Sequence, residues 1–450
     1  MFARDIVNEL VRWCKKKDRK PLVIRGARQV GKTTVIREFA RNFEQFIYIN
    51  LELPEDRKPF EEFSNFDTLL QSIFFLKDKA LEKRQESLVF IDEIQEIPEA
   101  LQQLRYFFED APDIPVIAAG SMLETLFNNK ISFPVGRVEY LVIHPTSFPE
   151  FLGAMGESAA LEQLKNVPIQ NFAVEKLMRL YRTYCVIGGM PEVVAHYSKN
   201  RDLASLSSIY ESLLVSYIDD VEKYASGNQQ VDHIRHAIRS TFAEAGTRIK
   251  FQNFGNSVYK SREMGEALRA LEKALLLHLI YPLTETVLPI RPNINRSPRL
   301  QILDTGMLNY YVGIQKEIIG TEDLSSVYKG TMIEHITGQE LLARQYSALH
   351  NLHFWVRDKK GSSAEVDYVY QYNDKLVPIE VKSGATGKLR SLHIYMDEAP
   401  HNLAIRFYDG NVNITSPVTP NGKRFHLLNL PYCVVSQIQS YLEWFEQELR

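Results

Sequence analysis

The stretch PLVIRGARQVGKTTVIREFARNF (residues 21–43) runs from a short apolar segment, through a loop bounded by glycines, into a helix-forming segment. Within it, Gly26-Ala27-Arg28-Gln29-Val30-Gly31-Lys32-Thr33 has the spacing G-x-x-x-x-G-K-[ST], and Thr34 follows. A strand before and a helix after are the context this spacing requires. Glycines let the backbone wrap closely enough for its N–H groups to point at phosphate oxygens. The following helix turns its positive end toward the same anion. Lys32 adds a point charge at the terminal phosphates, and the Thr33 hydroxyl is placed to ligate Mg²⁺. The loop therefore predicts a bound nucleoside triphosphate, ATP with magnesium.

Working outward, the runs PLVI (21–24), FIYIN (46–50), SLVFI (87–91), PVIAA (115–119) and EYLVI (139–143) alternate with helical segments. Continuous apolar strands are buried on both faces, so the pattern predicts an α/β fold around a parallel sheet. Apolar spacing over 2–14 predicts an amphipathic helix ahead of the first strand. LVFIDE delivers Asp92 and Glu93 at the C-terminal end of its strand, where ligands sit in open α/β sheets. Asp92 is expected to hold Mg²⁺ through water, and Glu93 to act as general base on the attacking water.

The 450 residues are 45% hydrophobic and 24% charged, which is ordinary for a globular chain with more than one core. A net charge of −3 gives no bulk field that recruits nucleic acid, although residues 1–41 carry twelve Lys/Arg against four Asp/Glu. Cys14, Cys185 and Cys433 are odd in number and lack metal spacing, which suits a reducing, cytoplasmic setting. Asp5 and Glu9 argue against a secretory signal at the start. The uncharged run 425–442 holds too many polar groups for a membrane span.

Past residue 150 the pattern is helical to about 225, broken at Gly188-Gly189 and Pro191. Residues 228–290 form a compact segment around a helix expected over 261–276, and LPIRPNINRSP (288–298) reads as a linker. A strand at LQIL (300–303), a helix near 330–346 and a charged hairpin near 364–382 follow. The expected division is a P-loop core over 1–150, a helical lid over 151–227, a middle module over 228–290 and a second α/β domain over 291–450.

GARQVGKTT, LVFIDEIQEIP and the strand ending AAGSM together resemble the P-loop ATPase module of the AAA type. GRVEYLVIHPTSFPEFL, VIGGMPEVV, LQILDTGML and AEVDYVYQYNDKLVPIEVKSG follow in order. The chain is thereby similar to the large prokaryotic family in which that module is fused to a C-terminal domain of uncharacterised function. The resemblance implies that Ser121 reads the γ-phosphate and that the turn at 188–192 is a hinge in the lid. It puts Gly136-Arg137 where an arginine reaches a phosphate, within one chain or from a neighbouring copy, which leaves an oligomer open. A surface salt bridge would account for Arg137 equally well.

With Asn373-Asp374 at the centre of a tight turn, Asp367 falls opposite Glu380 and Glu365 opposite Lys382. Period two then collects those four on one face and leaves Val366, Tyr368 and Tyr370 with Val377, Ile379 and Val381 on the other. Facing carboxylates repel unless something compensates, and a second divalent metal would do so. Asp367, twelve intervening residues and Glu380-Val381-Lys382 resemble the restriction-endonuclease-like PD-(D/E)xK nucleases. That resemblance implies a nuclease-like domain with Asp367, Glu380 and Lys382 catalytic, and Glu334 from the preceding helix joining Asp367 and Glu380 as metal ligand. No proline precedes Asp367, a departure from the pattern. The plainer reading is an edge hairpin whose solvent face pairs Glu365 with Lys382.

Residues 228–290 resemble a winged helix, with Arg262, Arg269 and Lys273 on one side of its helix, placed for phosphates or base edges. Two functional readings stand. One is an ATPase that acts on nucleic acid, DNA before RNA, and gates a C-terminal metal site. The other is a regulatory ATPase whose C-terminal half only binds protein or nucleic acid.

Overall fold

The structure is a computed structural model that describes residues 2–63, 65–120, 136–220, 225, 227–315, 330–382 and 389–450. Helix α1 (Ile6–Cys14) precedes β1 (Leu22–Arg25), and the glycine loop leads directly into α2 (Lys32–Phe39). Next come β2 (Gln45–Asn50), α3 (Pro54–Glu62), α4 (Phe66–Leu76), β3 (Ser87–Asp92), α5 (Pro98–Glu109), β4 (Val116–Gly120) and β5 (Glu139–Val142). These strands run parallel in the order β2-β3-β4-β1-β5, so β4 stands between the P-loop strand and the acidic strand. Every residue of β3 is buried. Leu88 and Phe90 pack on one side with residues of α1 and α2, Val89 and Ile91 on the other with α4 and α5. Two covered faces are why the strand reads as a continuous apolar run.

The segment expected to form the lid is helical, with α6 (Phe148–Ala154), α7 (Ser158–Leu164), α8 (Asn171–Ile187), α9 (Pro191–Asn200) and α10 (Ser207–Asp219). A capping box of Ser147 and Glu150 starts α6. Residues 228–311, the expected middle module and the start of the expected second domain, hold α11 (Asn228–Thr241), α12 (Ser261–Lys273), β6 (Leu277–Ile280), β7 (Pro282–Leu283), β8 (Arg299–Ile302) and α13 (Thr305–Tyr311). The helix expected to reach residue 276 ends at Lys273. Leu275, at φ 59°, turns the chain, and the apolar residues after it become β6, antiparallel to β8. A short apolar run suits either state, and here strand pairing decides.

The C-terminal part contains α14 (Gly330–Ala343), β9 (His353–Val356), β10 (Glu365–Tyr372), β11 (Lys375–Val381), α15 (Arg390–Glu398), β12 (Leu403–Tyr408), β13 (Asn413–Thr415), β14 (His426–Pro431) and α16 (Ile438–Glu448). Its seven-stranded mixed sheet runs β13-β14-β12-β11-β10-β9-β7. The hairpin pairs Tyr372 with Lys375 and Tyr368 with Ile379, the register expected from its turn. It lies in the middle of the sheet, however, not at an edge. A register shift against β9 falls between Val366 and Val369. This irregularity breaks the period of two. Val366 joins Val369 in the cluster around Trp355 and Tyr395, while Tyr368 and Tyr370 pack with Val377, Ile379 and Val381. The expected grouping of Val366 with Tyr368 is corrected accordingly.

Strand pairing crosses the stretch 288–298 twice, as β6 with β8 and β7 with β9. Beyond the free edge of β5, the Val142 amide donates to the carbonyl of Tyr346, just after α14, at 2.9 Å. One apolar cluster extends from Ile6 in α1 through the lid and middle segment to Phe445 in α16. Among the described residues no helix is long and apolar enough to cross a membrane.

Candidate nucleotide site and carboxylate cluster

Gln29 (φ 61°) and Gly31 (φ 92°) lie in the left-handed region, so the loop curls its amides into a concave anion-binding shape. A Cβ on Gly26 would meet the Ile143 carbonyl oxygen at 2.8 Å, which fixes glycine where loop and β5 meet. Ala27 and Val30 are buried and hold the loop on the core. Lys32 is only 7% exposed, and its Nζ donates to the carbonyls of Gly26 and Ala27 at 2.9 and 3.0 Å. Burial pulls its ammonium down to about 8, against the opposing pull of Glu93 and Asp92.

The Thr33 hydroxyl donates to Asp92 Oδ2 at 2.7 Å, and the Tyr48 hydroxyl to the same oxygen at 3.3 Å. Burial raises the Asp92 carboxyl above its ordinary value. A hydroxyl and a carboxylate converging beside an anion-binding loop form a hard-oxygen donor set that fits Mg²⁺. Thr33 and Asp92 would hold the ion, whose chemistry there is to offset phosphate charge. Glu93 (φ 51°) accepts a hydrogen bond from Gln95 Nε2 at 2.6 Å. It lines a cavity of ≈ 500 Å³ together with Arg28, Gln29, Gly31, Lys32, Thr33 and Thr34.

Nothing in the sequence pattern ties the other walls of this cavity to the nucleotide. They are Phe2 and Arg4 from the N-terminal segment, Val35 of α2, and Pro191, Glu192 and Ala195 at the start of α9. Arg4 donates to the carbonyls of Val30 and His144 at 3.2 and 2.8 Å, and its Nε lies 3.1 Å from Glu150. Arg28 pairs with Asp220, and the Tyr217 hydroxyl donates to the Arg28 carbonyl at 2.5 Å, so the end of α10 grips the loop. Arg137 pairs with Glu109 at 2.8 Å and does not line the cavity. Ser121 lies outside the described residues.

Within the turn at 188–192, Gly188, Gly189 and Met190 are buried. Asp304 accepts from the amides of Gly189 and Met307 at 2.5 and 3.0 Å, capping α13 while holding the lid. A Cβ on Gly189 would fall 2.3 Å from the Thr146 carbonyl oxygen, and one on Gly306 2.2 Å from that of Ile187. The expected hinge is therefore a close-packed joint between the lid and α13.

Toward the C-terminus, Asp367, Glu380, Lys382 and Glu334 come together. Lys382 pairs with Glu380, whose Oε2 is buried without a hydrogen-bond partner. Asp367 Oδ2 accepts from the Val381 amide at 2.7 Å. Burial, with Asp367 nearby, pushes Glu334 up to about 8 and Glu380 up to about 7. Arg299 was invisible in the sequence because β8 alone brings it here. Its side chain is 4% exposed. It donates to the Asp367 carbonyl at 2.8 Å, lies 3.7 Å from Glu334 and pairs with Glu365. Glu365 thus faces Arg299 and Arg248 (3.3 Å), not Lys382. Protein cations do the compensating expected of a metal, and among the described residues no three Asp, Glu, His or Cys groups are arranged to hold one.

On α12, Arg262, Arg269 and Lys273 are exposed; Arg262 pairs with Glu266 at 2.9 Å, and Arg269 lies 5.8 Å from the centre of the Phe251 ring.

The sheet order, the glycine loop around Lys32 and the Thr33–Asp92 pair define a P-loop nucleotide-binding ATPase fold. Residues 18–152 match the family described as an AAA domain, which makes this part of the chain an AAA-type ATPase domain. Residues 178–318 and 329–430 match two domains of unknown function, DUF8612 and DUF4143. No curated protein matches the chain. Among solved structures it is similar to the Walker-type ATPase PABY2304 of Pyrococcus abyssi, at 13% identity and TM-score 0.45 over 69% of this chain and 96% of that one. It is also similar to the Orc1 protein of Aeropyrum pernix in complex with DNA (11%, TM-score 0.28, 68% and 90%). A third similar structure is unliganded Pif1 from Bacteroides sp. (14%, TM-score 0.21, 40% and 49%).

Proposed function

We propose that this protein binds and hydrolyses Mg·ATP and passes the nucleotide state through its lid to the C-terminal half. The observation that carries this reading is the Thr33–Asp92 bond beside a buried Lys32, with Glu93 on the same cavity. Lys32 meets the terminal phosphates once they replace the loop carbonyls as its partners. Glu93 acts as general base when it leaves Gln95 for the attacking water. The route outward is the Asp304 joint, which ties the turn beside the cavity to α13.

The test compares nucleotide binding and phosphate release in three proteins. Lys32→Ala should weaken Mg·ATP binding about tenfold or more, roughly 1.4 kcal/mol. Glu93→Gln should bind normally and hydrolyse about 10²-fold more slowly. Normal turnover in Glu93→Gln moves the base elsewhere, and normal affinity in folded Lys32→Ala removes the reading.

A second reading makes the C-terminal half the effector on nucleic acid, DNA before RNA, by cleavage. It is favoured by the meeting of Asp367, Glu380 and Lys382 with Glu334. Because Arg299 and Lys382 occupy those carboxylates, cleavage requires their release. Nicking of DNA with Mn²⁺ and ATP, lost in Asp367→Ala, would support it. No nicking in any condition leaves the C-terminal half a binding module.

A further inference from the structure

The sequence of the phosphate loop leaves the Val30–Gly31 peptide free to turn. Gly31 has no Cβ, so its φ can take either sign at no steric cost, and here it stands at 92°. A trans peptide carries its N–H opposite its C=O. One orientation therefore turns the Gly31 amide toward a bound anion, and the other sets the Val30 carbonyl against the phosphate oxygens. We propose that Arg4 is the positioning residue that selects the first orientation, by holding the Val30 carbonyl away from the phosphates. The proposal rests on the ATP-binding reading and adds to it a residue 26 positions ahead of the loop it sets.

Arg4 suits the task because it is itself held. Its side chain is 9% exposed, and its guanidinium meets groups from three parts of the chain. Nη1 donates to the Val30 carbonyl at 3.2 Å, Nη2 donates to the His144 carbonyl at 2.8 Å, and Nε lies 3.1 Å from Glu150. Glu150 is fixed in turn. It accepts from the amides of Asp5 at 2.6 Å and Ser147 at 2.9 Å, the latter within the capping box of α6. A planar guanidinium keeps its donors in a fixed fork, so seating two of its nitrogens at His144 and Glu150 aims the third at Val30. The Val30 side chain is fully buried, which anchors that residue from its other end. A Cβ on Gly31 would lie 3.7 Å from Arg4 Nη1, so the guanidinium lies against the peptide it orients. Hydrogen bonds from a charged donor are roughly twice as strong as neutral ones, enough to choose between two orientations of one peptide. The same cation polarises the Val30 carbonyl and so strengthens the Gly31 N–H as a donor to phosphate.

The test uses the full chain, two ligands (Mg·ATP and Mg·tripolyphosphate, which has no base) and the urea midpoint of each protein. Arg4→Ala should weaken both ligands about tenfold, since both use the loop. Arg4→Lys keeps a cation beside Glu150 and should recover most of the urea midpoint. A compact ammonium lacks the fork, however, so both affinities should stay about tenfold weak. If Arg4→Ala does not fold, Arg4→Lys decides alone. Wild-type affinity in Arg4→Lys would mean that the charge acts on the phosphates directly. Affinities that fall only in step with the urea midpoint would mean a structural role. Either result overturns the proposal. Lys32→Ala should weaken both ligands whatever Arg4 does. If it does so while the Arg4 variants bind normally, the role of Arg4 is overturned and the P-loop reading stands. If wild type binds neither ligand, the P-loop reading itself falls, and this proposal with it.

Discussion

At the scale of single residues, Lys32 sits between two sets of partners. Its ammonium is satisfied by two loop carbonyls but desolvated enough to titrate near 8. Phosphate oxygens favour the charged form, so binding lifts that value back. Mg·ATP binding should therefore take up protons above about pH 8, and affinity should fall as pH rises from there toward the lysine's ordinary 10.5. Calorimetry in two buffers of different ionisation enthalpy should detect the uptake at pH 8.5 and none from Lys32 at pH 6.5. An identical heat in both buffers at pH 8.5 would contradict this account. Lys32, Thr33 and Asp92 were legible in the sequence because loop spacing and strand ends are local patterns. Arg4 and Arg299 were not, since Arg4 meets His144 140 positions away and Arg299 meets Asp367 68 positions away.

Among the elements, the joint between lid and α13 depends on atoms that glycine lacks. In Gly306→Ala the new methyl would fall 2.2 Å from the Ile187 carbonyl oxygen across the joint and 2.9 Å from the Tyr210 hydroxyl, and overpacking of that kind should cost about 3 kcal/mol. Gly153 in α6 has nothing within 4 Å of its Cβ position, and Gly153→Ala should gain about 0.5–1 kcal/mol through helix propensity. Urea denaturation of the two variants separates steric from conformational effects, and equal midpoints would deny the joint its tightness. The same scale shows what sequence pattern can decide. A two-residue turn set the hairpin register, because turn length fixes which residues oppose one another. The irregularity beside it escaped notice because it arises against β9, a strand outside the hairpin. The run that became β6 was ambiguous for a related reason: its partner β8 lies beyond a proline-rich stretch.

Across the whole molecule, the ATPase part and the C-terminal part share buried polar contacts as well as apolar ones. Glu340 of α14 accepts from the Phe148 amide at 3.0 Å and the Tyr184 hydroxyl at 2.6 Å, fastening α14 to α6 and α8. Burial raises this carboxyl to about 7, and its Oε2 has no partner. A raised carboxyl means the folded chain holds a proton that the unfolded chain releases near 4.5. Its contribution is complete at low pH and is lost as pH rises through about 7. Glu340→Gln keeps the accepting oxygen and removes the titration. It should match wild type at pH 4 and exceed it at pH 8.5 by on the order of 3 kcal/mol. Parallel pH profiles of urea midpoints for the two proteins would show that the group does not titrate as described. The contact from the Val142 amide to the Tyr346 carbonyl has a wider meaning. An exposed edge strand invites pairing with other chains. A fragment ending after β5 would bare that edge and should self-associate. In hereditary terms, a recombination event that kept β5 and lost Tyr346 would pass on the ATPase sheet with that edge amide uncovered. The carbonyl that meets it is encoded some two hundred codons downstream, in the other half of the gene.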